Sequence, residues 1–217
     1  MSLFVSTNVS SINATRQLFT SNNNLNTAFE KLSSGFRING AKDDAAGLQI
    51  SNRITTQVLG LHQAVRNAID GISLSQKIEG ALAKTTSALQ RMRVLAVQSQ
   101  NVINSSAGRV ALQKEITALK DEISRIGLTS QFDGVDVLDG AFSSAFLVGA
   151  NAGQTFSVNV ERTWGYGVSG IFVASISVLT ESEASAAMAS ISEAVTIIYA
   201  QRADLGAIQN RIQSTIR

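Results

Sequence analysis

Ser34-Gly35-Phe36-Arg37-Ile38-Asn39-Gly40-Ala41-Lys42-Asp43-Asp44-Ala45-Ala46-Gly47-Leu48 opens a helical pattern that runs to Ser99 without a proline or a breaker cluster. Gly35, Asn39 and Gly40 supply turn geometry, and Asp43 or Asp44 then stands where a helix N-cap belongs, its charge on the favourable side of the helix dipole. Downstream, Ile54, Val58, Leu61, Val65, Ile69 and Ile72 recur at spacings of three and four, followed less regularly by Ile78, Leu82, Leu89, Met92 and Ala96. The spacing predicts one apolar stripe on one helix. At 1.5 Å per residue that helix would be roughly 75 Å long, so long helical partners must cover its stripe.

The partners are legible on both sides. Val5, Val9 and Ile12, then Leu18, Leu25, Phe29 and Leu32, predict an N-terminal amphipathic helix, marginal alone, that folds when a partner covers its apolar edge. Its polar face carries Asn, Ser and Thr instead of the basic residues of a membrane-surface helix. Asn104-Ser105-Ser106-Ala107-Gly108 ends the long helix, and Leu112, Ile116, Leu119, Ile123 and Ile126 then repeat at four, three, four, three. Gly127 marks the expected end of this second helix, which so short a connection makes antiparallel to the first.

From Gln131 to Leu179 the period changes. Phe132-Asp133-Gly134 and Asp139-Gly140 are turn signals, and Phe146-Leu147-Val148 with Thr155 to Val160, joined through Gly149 to Gln154, predict a β-hairpin. Ile171 to Leu179 reads as a further strand. Helical period returns from about Ser182 through Met188, Ile191, Val195, Ile198, Leu205, Ile208, Ile212 and Ile216. The expected fold is mainly α: a long antiparallel helical coiled-coil rod with a small β-hairpin region at about 131–179, plus the N-terminal amphipathic helix. The expected division is 1–43, a packing segment and linker, and 44–217, the rod.

Composition narrows the function. The 217 residues are 44% hydrophobic, yet only 6% aromatic and free of proline, which suits a rod better than a globular enzyme. A net charge of +2 with acids and bases interleaved argues against nucleic acid. No stretch reaches the roughly 18 apolar residues of a membrane span, and Met1 to Ser11 lacks a signal-peptide pattern. Without cysteine there is no disulfide framework or thiolate zinc site, and His62, the only histidine, cannot form a two-histidine metal site. Asp121 and Glu122 read as a solvated helix face beside Lys114, Lys120 and Arg125. No catalytic constellation, cofactor or metal is expected. On the long helix, Arg91, Val94, Leu95 and Gln98 form a mixed apolar and hydrogen-bonding patch of interface composition.

Several motifs resemble those of bacterial flagellins: Leu32 to Asn39, Asp43 to Ser51, Asn67 to Ser73, Leu89 to Ser99, Phe132-Asp133-Gly134, Val148 to Gln154 and Arg202 to Arg211. The resemblance implies a structural, extracellular role: polymerisation into the flagellar filament with other flagellin subunits, after export through the flagellar type III apparatus. Residues 1–43 would pack inside the filament through Val5, Val9, Ile12, Leu18, Leu25, Phe29 and Leu32. The connection between Val160 and Ser182 is short where many flagellins insert outer domains, and the sequence stops at Arg217 where flagellins continue into a C-terminal helix. That puts chaperone binding and unaided assembly in doubt. The resemblance also implies recognition by the animal Toll-like flagellin receptor through Gln90, Arg91, Leu95, Gln98 and Glu115. Val94 departs from the acidic residue common at its position, and Leu119 stands where a basic residue can occur. A hook-filament junction protein, or a helical adaptor outside the flagellum, is the alternative reading.

Overall fold

The computed structural model describes residues 8–217 of the chain, which divides into two compact units, Met1–Leu59 and Gly60–Arg217. The expected boundary after residue 43 coincides with a helix start, whereas the division in space comes later, at 59/60.

In the first unit, helix α1 (Val9–Ser34) is closed at both ends. Asn8 Oδ1 accepts from the Ser11 N–H at 3.2 Å, and Gly35, at φ 71°, donates its N–H to Lys31 O. Left-handed backbone of this kind favours glycine and satisfies one of the carbonyls a helix end leaves open. Helix α2 (Ala45–Gln100) begins after a connector, and of the two candidate caps Asp44 is the one used. Its Oδ1 accepts from Gly47 N–H at 2.8 Å, while the Asp43 carboxylate turns back into the connector.

The second unit is a helical bundle with a hairpin packed on it. Along α2 the residues Ala64, Ala68, Gly71, Ser75, Ile78, Leu82, Thr85, Leu89, Met92, Ala96 and Ser99 are buried. They repeat at four and three throughout, a coiled-coil seam. This corrects the stripe read from the large residues. Leu61, Val65 and Ile69 are exposed, and the seam runs one position away from them through small side chains. The reason is close approach: a Cβ added at Gly71 would meet Phe146 at 3.4 Å and Ile212 at 3.6 Å.

Helix α3 (Ser106–Thr129) buries Ile116, Ile123 and Ile126. It continues past Gly127, which is therefore not a terminator. A Cβ there would lie 3.0 Å from the backbone nitrogen of Gly167, so the glycine admits a neighbouring chain. Helix α4 (Glu181–Ile216) starts with a reciprocal capping box between Thr180 and Glu183 and buries Ala184, Ala187, Ile191, Ala194, Ile198, Leu205 and Ile212. Ser99 Oγ donates to Val178 O at 2.6 Å, Glu79 meets Arg202 at 3.4 Å, and Gly71 faces Ile212. These contacts set α4 antiparallel to α2.

Between α3 and α4 lie two hairpins. Strands β1 (Gln131–Phe132) and β2 (Val135–Asp136) are joined by Asp133-Gly134, both at positive φ, the twist a two-residue turn needs. Strands β3 (Ala141–Leu147) and β4 (Thr155–Glu161) pair antiparallel from Ala141 opposite Glu161 to Leu147 opposite Thr155, as the alternating pattern implies. The strand expected over Ile171 to Leu179 does not form. Phe172 sits at φ 61°, and the backbone runs through turns such as Val173 N–H to Val168 O. Its apolar residues Ile171, Val173, Ile176 and Val178 are nevertheless buried. Side chains replace a ladder: Lys120 Nζ donates to Ala174 O, and the Val178 N–H donates to Gln113 Oε1.

Candidate functional site

Two surfaces stand out. The first is α1, none of whose residues is buried. Val9, Ile12, Leu18, Leu25, Phe29 and Leu32 are all exposed, as is Phe19, which the sequence pattern did not single out. Val5 lies outside the described residues. With 3.6 residues per turn, Val9, Ile12 and Phe19 fall on one side, and Leu18, Leu25, Phe29 and Leu32 on another roughly 100–140° away. The helix thus carries two apolar strips instead of one edge.

The second surface joins α2 and α3. Arg91 Nε donates to Glu115 Oε1 at 2.6 Å, with both side chains about half exposed, and Gln90 and Gln98 are exposed beside the pair. The hydrogen bond and charge of Glu115 raise the Arg91 pKa above its already high ordinary value, so the guanidinium stays charged at any physiological pH. Leu95 is a correction. At 1% exposed it belongs to the core, and the apolar groups open on this face are Val94 and Val97. Four residues ahead of Arg91 is close to a helical repeat, but the 3.5-residue seam places Leu95 inward. Glu122 and Arg125 pair at 2.6 Å on the solvated side of α3.

Asp43 and Asp44 complete the predicted set, one folding the connector and the other capping α2. Among the described residues no group of three or more His, Cys, Asp or Glu is placed to hold a metal ion, and no helix is long and apolar enough to cross a membrane.

A profile of the bacterial flagellin N-terminal helical region matches residues 5–143. The chain belongs to the flagellin family. It is 52% identical over 163 residues to the B-type flagellin of Pseudomonas aeruginosa, a match covering 75% of this chain and 33% of that protein. Flagellin C of Vibrio cholerae is 51% identical over 162 residues, covering 74% of this chain and 43% of the relative. The chain therefore spans a third to under half of the length of the curated flagellins it matches. Among solved structures, the Bacillus cereus flagellin aligns over 70% of this chain and 87% of its own with a TM-score of 0.62 at 25% identity. FliC from Burkholderia pseudomallei aligns over 65% of this chain and 99% of its own with a TM-score of 0.58 at 21% identity, a likeness of fold. The flagellin family is one of structural proteins.

Proposed function

We propose that this flagellin chain is a structural subunit of the bacterial flagellar filament, acting outside the cell by polymerising with copies of itself. The observation that carries the reading is α1: a helix of 26 residues, capped at both ends, with seven large apolar side chains exposed and none buried. Apolar strips on two sides need cover from two sides, which neighbours in a polymer supply and a single groove does not. On this reading residues 1–43 are the filament-core segment and 44–217 the helical rod domain, reached by export through the flagellar type III apparatus. Sedimentation of the purified chain, with and without full-length flagellin seeds, followed by electron microscopy, tests it. Polymerisation of the chain and its addition to seeds are expected. Persistent monomers beside growing seeds would remove the subunit role.

The Arg91–Glu115 pair favours a second role, as a surface for the animal Toll-like flagellin receptor. Gln90, Arg91, Gln98 and Glu115 are its polar groups, and Val94 fills the apolar place expected of Leu95. An exposed ion pair adds little stability of its own, which leaves its donors free to re-pair with a partner.

A further inference from the structure

The connector between α1 and α2 is folded around one carboxylate. Asp43 Oδ2 accepts the backbone N–H of Asn39 at 3.1 Å and of Gly40 at 3.2 Å, and Oδ1 faces the Lys31 ammonium of α1 at 3.9 Å. The same loop is tied again to α1 through Glu30, which meets Lys42 Nζ at 3.2 Å and Asn39 Nδ2 at 3.4 Å. Half-buried Ile38 lies over Gly47, and no apolar side chain of residues 8–59 is fully buried. Polar ties, and not a core, therefore hold the connector against the C-terminal end of α1.

We propose that Asp43 is a positioning residue, a carboxylate latch that fixes the folded connector between α1 and α2 and opens when it is protonated. An ionised carboxylate accepts two N–H groups at once and attracts Lys31. The neutral acid is a weaker acceptor and loses the attraction. The charged groups acting on it are Lys31 from α1 and Lys42 within the connector; Glu30 of α1 bonds Lys42 and Asn39, and Asp44 stands next to it in the chain at the start of α2. Asp44 is occupied by the Gly47 N–H, and only Asp43 touches both connector amides. The Asn39 N–H above all, then the Gly40 N–H, Lys31 and Lys42, hold the Asp43 carboxyl below its ordinary 3.8 against an opposing effect of burial. A depressed folded-state value means that the latch is closed above pH 3.8 and is lost as pH falls through the lower folded value. The inference concerns Met1–Leu59 alone and stands whether or not the chain polymerises.

The chain has no cysteine, so nitroxide labels introduced by Asn22→Cys and Gln57→Cys report the α1 to α2 distance by pulsed electron spin resonance. A narrow distribution at neutral pH, broadening below pH 3.8, is expected of the labelled chain. With Asp43→Asn the distribution should be broad at neutral pH and insensitive to acid, and the Asn39 and Gly40 amides should exchange about tenfold faster. A narrow distribution in Asp43→Asn, or equal acid broadening with and without that substitution, overturns the proposal. Should the variant lose α1 altogether, the amide resonances of Asn39 and Gly40 in the unsubstituted chain decide. Titration with a midpoint under 3.8 supports the latch, and its absence rejects it.

Discussion

Leu95 and Arg91 lie one turn apart on α2 and face opposite environments: the leucine is in the seam, the guanidinium is at the surface on Glu115. Leu95→Ala should cost about 2–5 kcal/mol in chemical denaturation, as deletion of a buried leucine does. Arg91→Ala should leave the denaturation midpoint nearly unchanged and weaken receptor binding more than about tenfold, read by titration calorimetry. Unchanged affinity in Arg91→Ala would take the receptor surface away from this face. Tyr166 gives a pH signature of its own. Burial raises its pKa above the ordinary 10.0, and its hydroxyl donates to Gln201 Oε1 at 2.7 Å. The folded chain holds the phenol proton longer than the unfolded chain, so the contribution is intact below pH 10 and declines as pH rises through the folded value. Thermal melts from pH 9 to pH 11 should show this decline, and Tyr166→Phe should flatten it.

Helix ends and helix crossings account for the next level of order. Thr180 Oγ1 accepts the Glu183 N–H at 3.2 Å, and Glu183 Oε2 accepts the Thr180 N–H at 3.1 Å. Thr180→Ala should lose about 1 kcal/mol, seen in urea titrations. Thr180-Glu181-Ser182-Glu183 is a capping-box pattern visible in the sequence, a sharper start for α4 than the return of hydrophobic period near Ser182. At Gly127 the added methyl of alanine meets backbone of Gly167, which cannot swing aside as a side chain can. Gly127→Ala should therefore destabilise by about 1–3 kcal/mol despite the higher helix propensity of alanine. A melting temperature equal to or above that of the parent would show that the 163–179 segment yields to α3.

Among the described residues, the buried apolar side chains all lie within Gly60–Arg217, and residues 8–59 hold none. Local opening is least costly where least apolar surface is buried, so limited proteolysis should trim the N-terminal unit first and leave a resistant core beginning near residue 60. Incorporation into filaments should protect the same sites. Cleavage that starts within 60–217 instead would mean that apolar burial does not set the order of opening.

Local pattern by itself determined the helices and the β3–β4 hairpin. Capping residues, turn dipeptides and periods of two or three and a half act over a few neighbours, and so they survive without knowledge of the fold. The seam of α3 and the β3–β4 pairing were read correctly for that reason. Three features waited for the tertiary structure. The α2 seam between Ala64 and Ser75 is made of small residues, chosen by the approach of Phe146 and Ile212, and small residues give hydrophobic periodicity no amplitude. The segment Ile171 to Val178 has the composition of a strand but no neighbouring strand to pair with, so side chains of α2 and α3 bind its backbone instead. Leu95 and Asp43 were assigned by spacing, and only the direction of each side chain revealed that one packs inward and the other folds a loop. Direction depends on what lies opposite in space, which no local window contains.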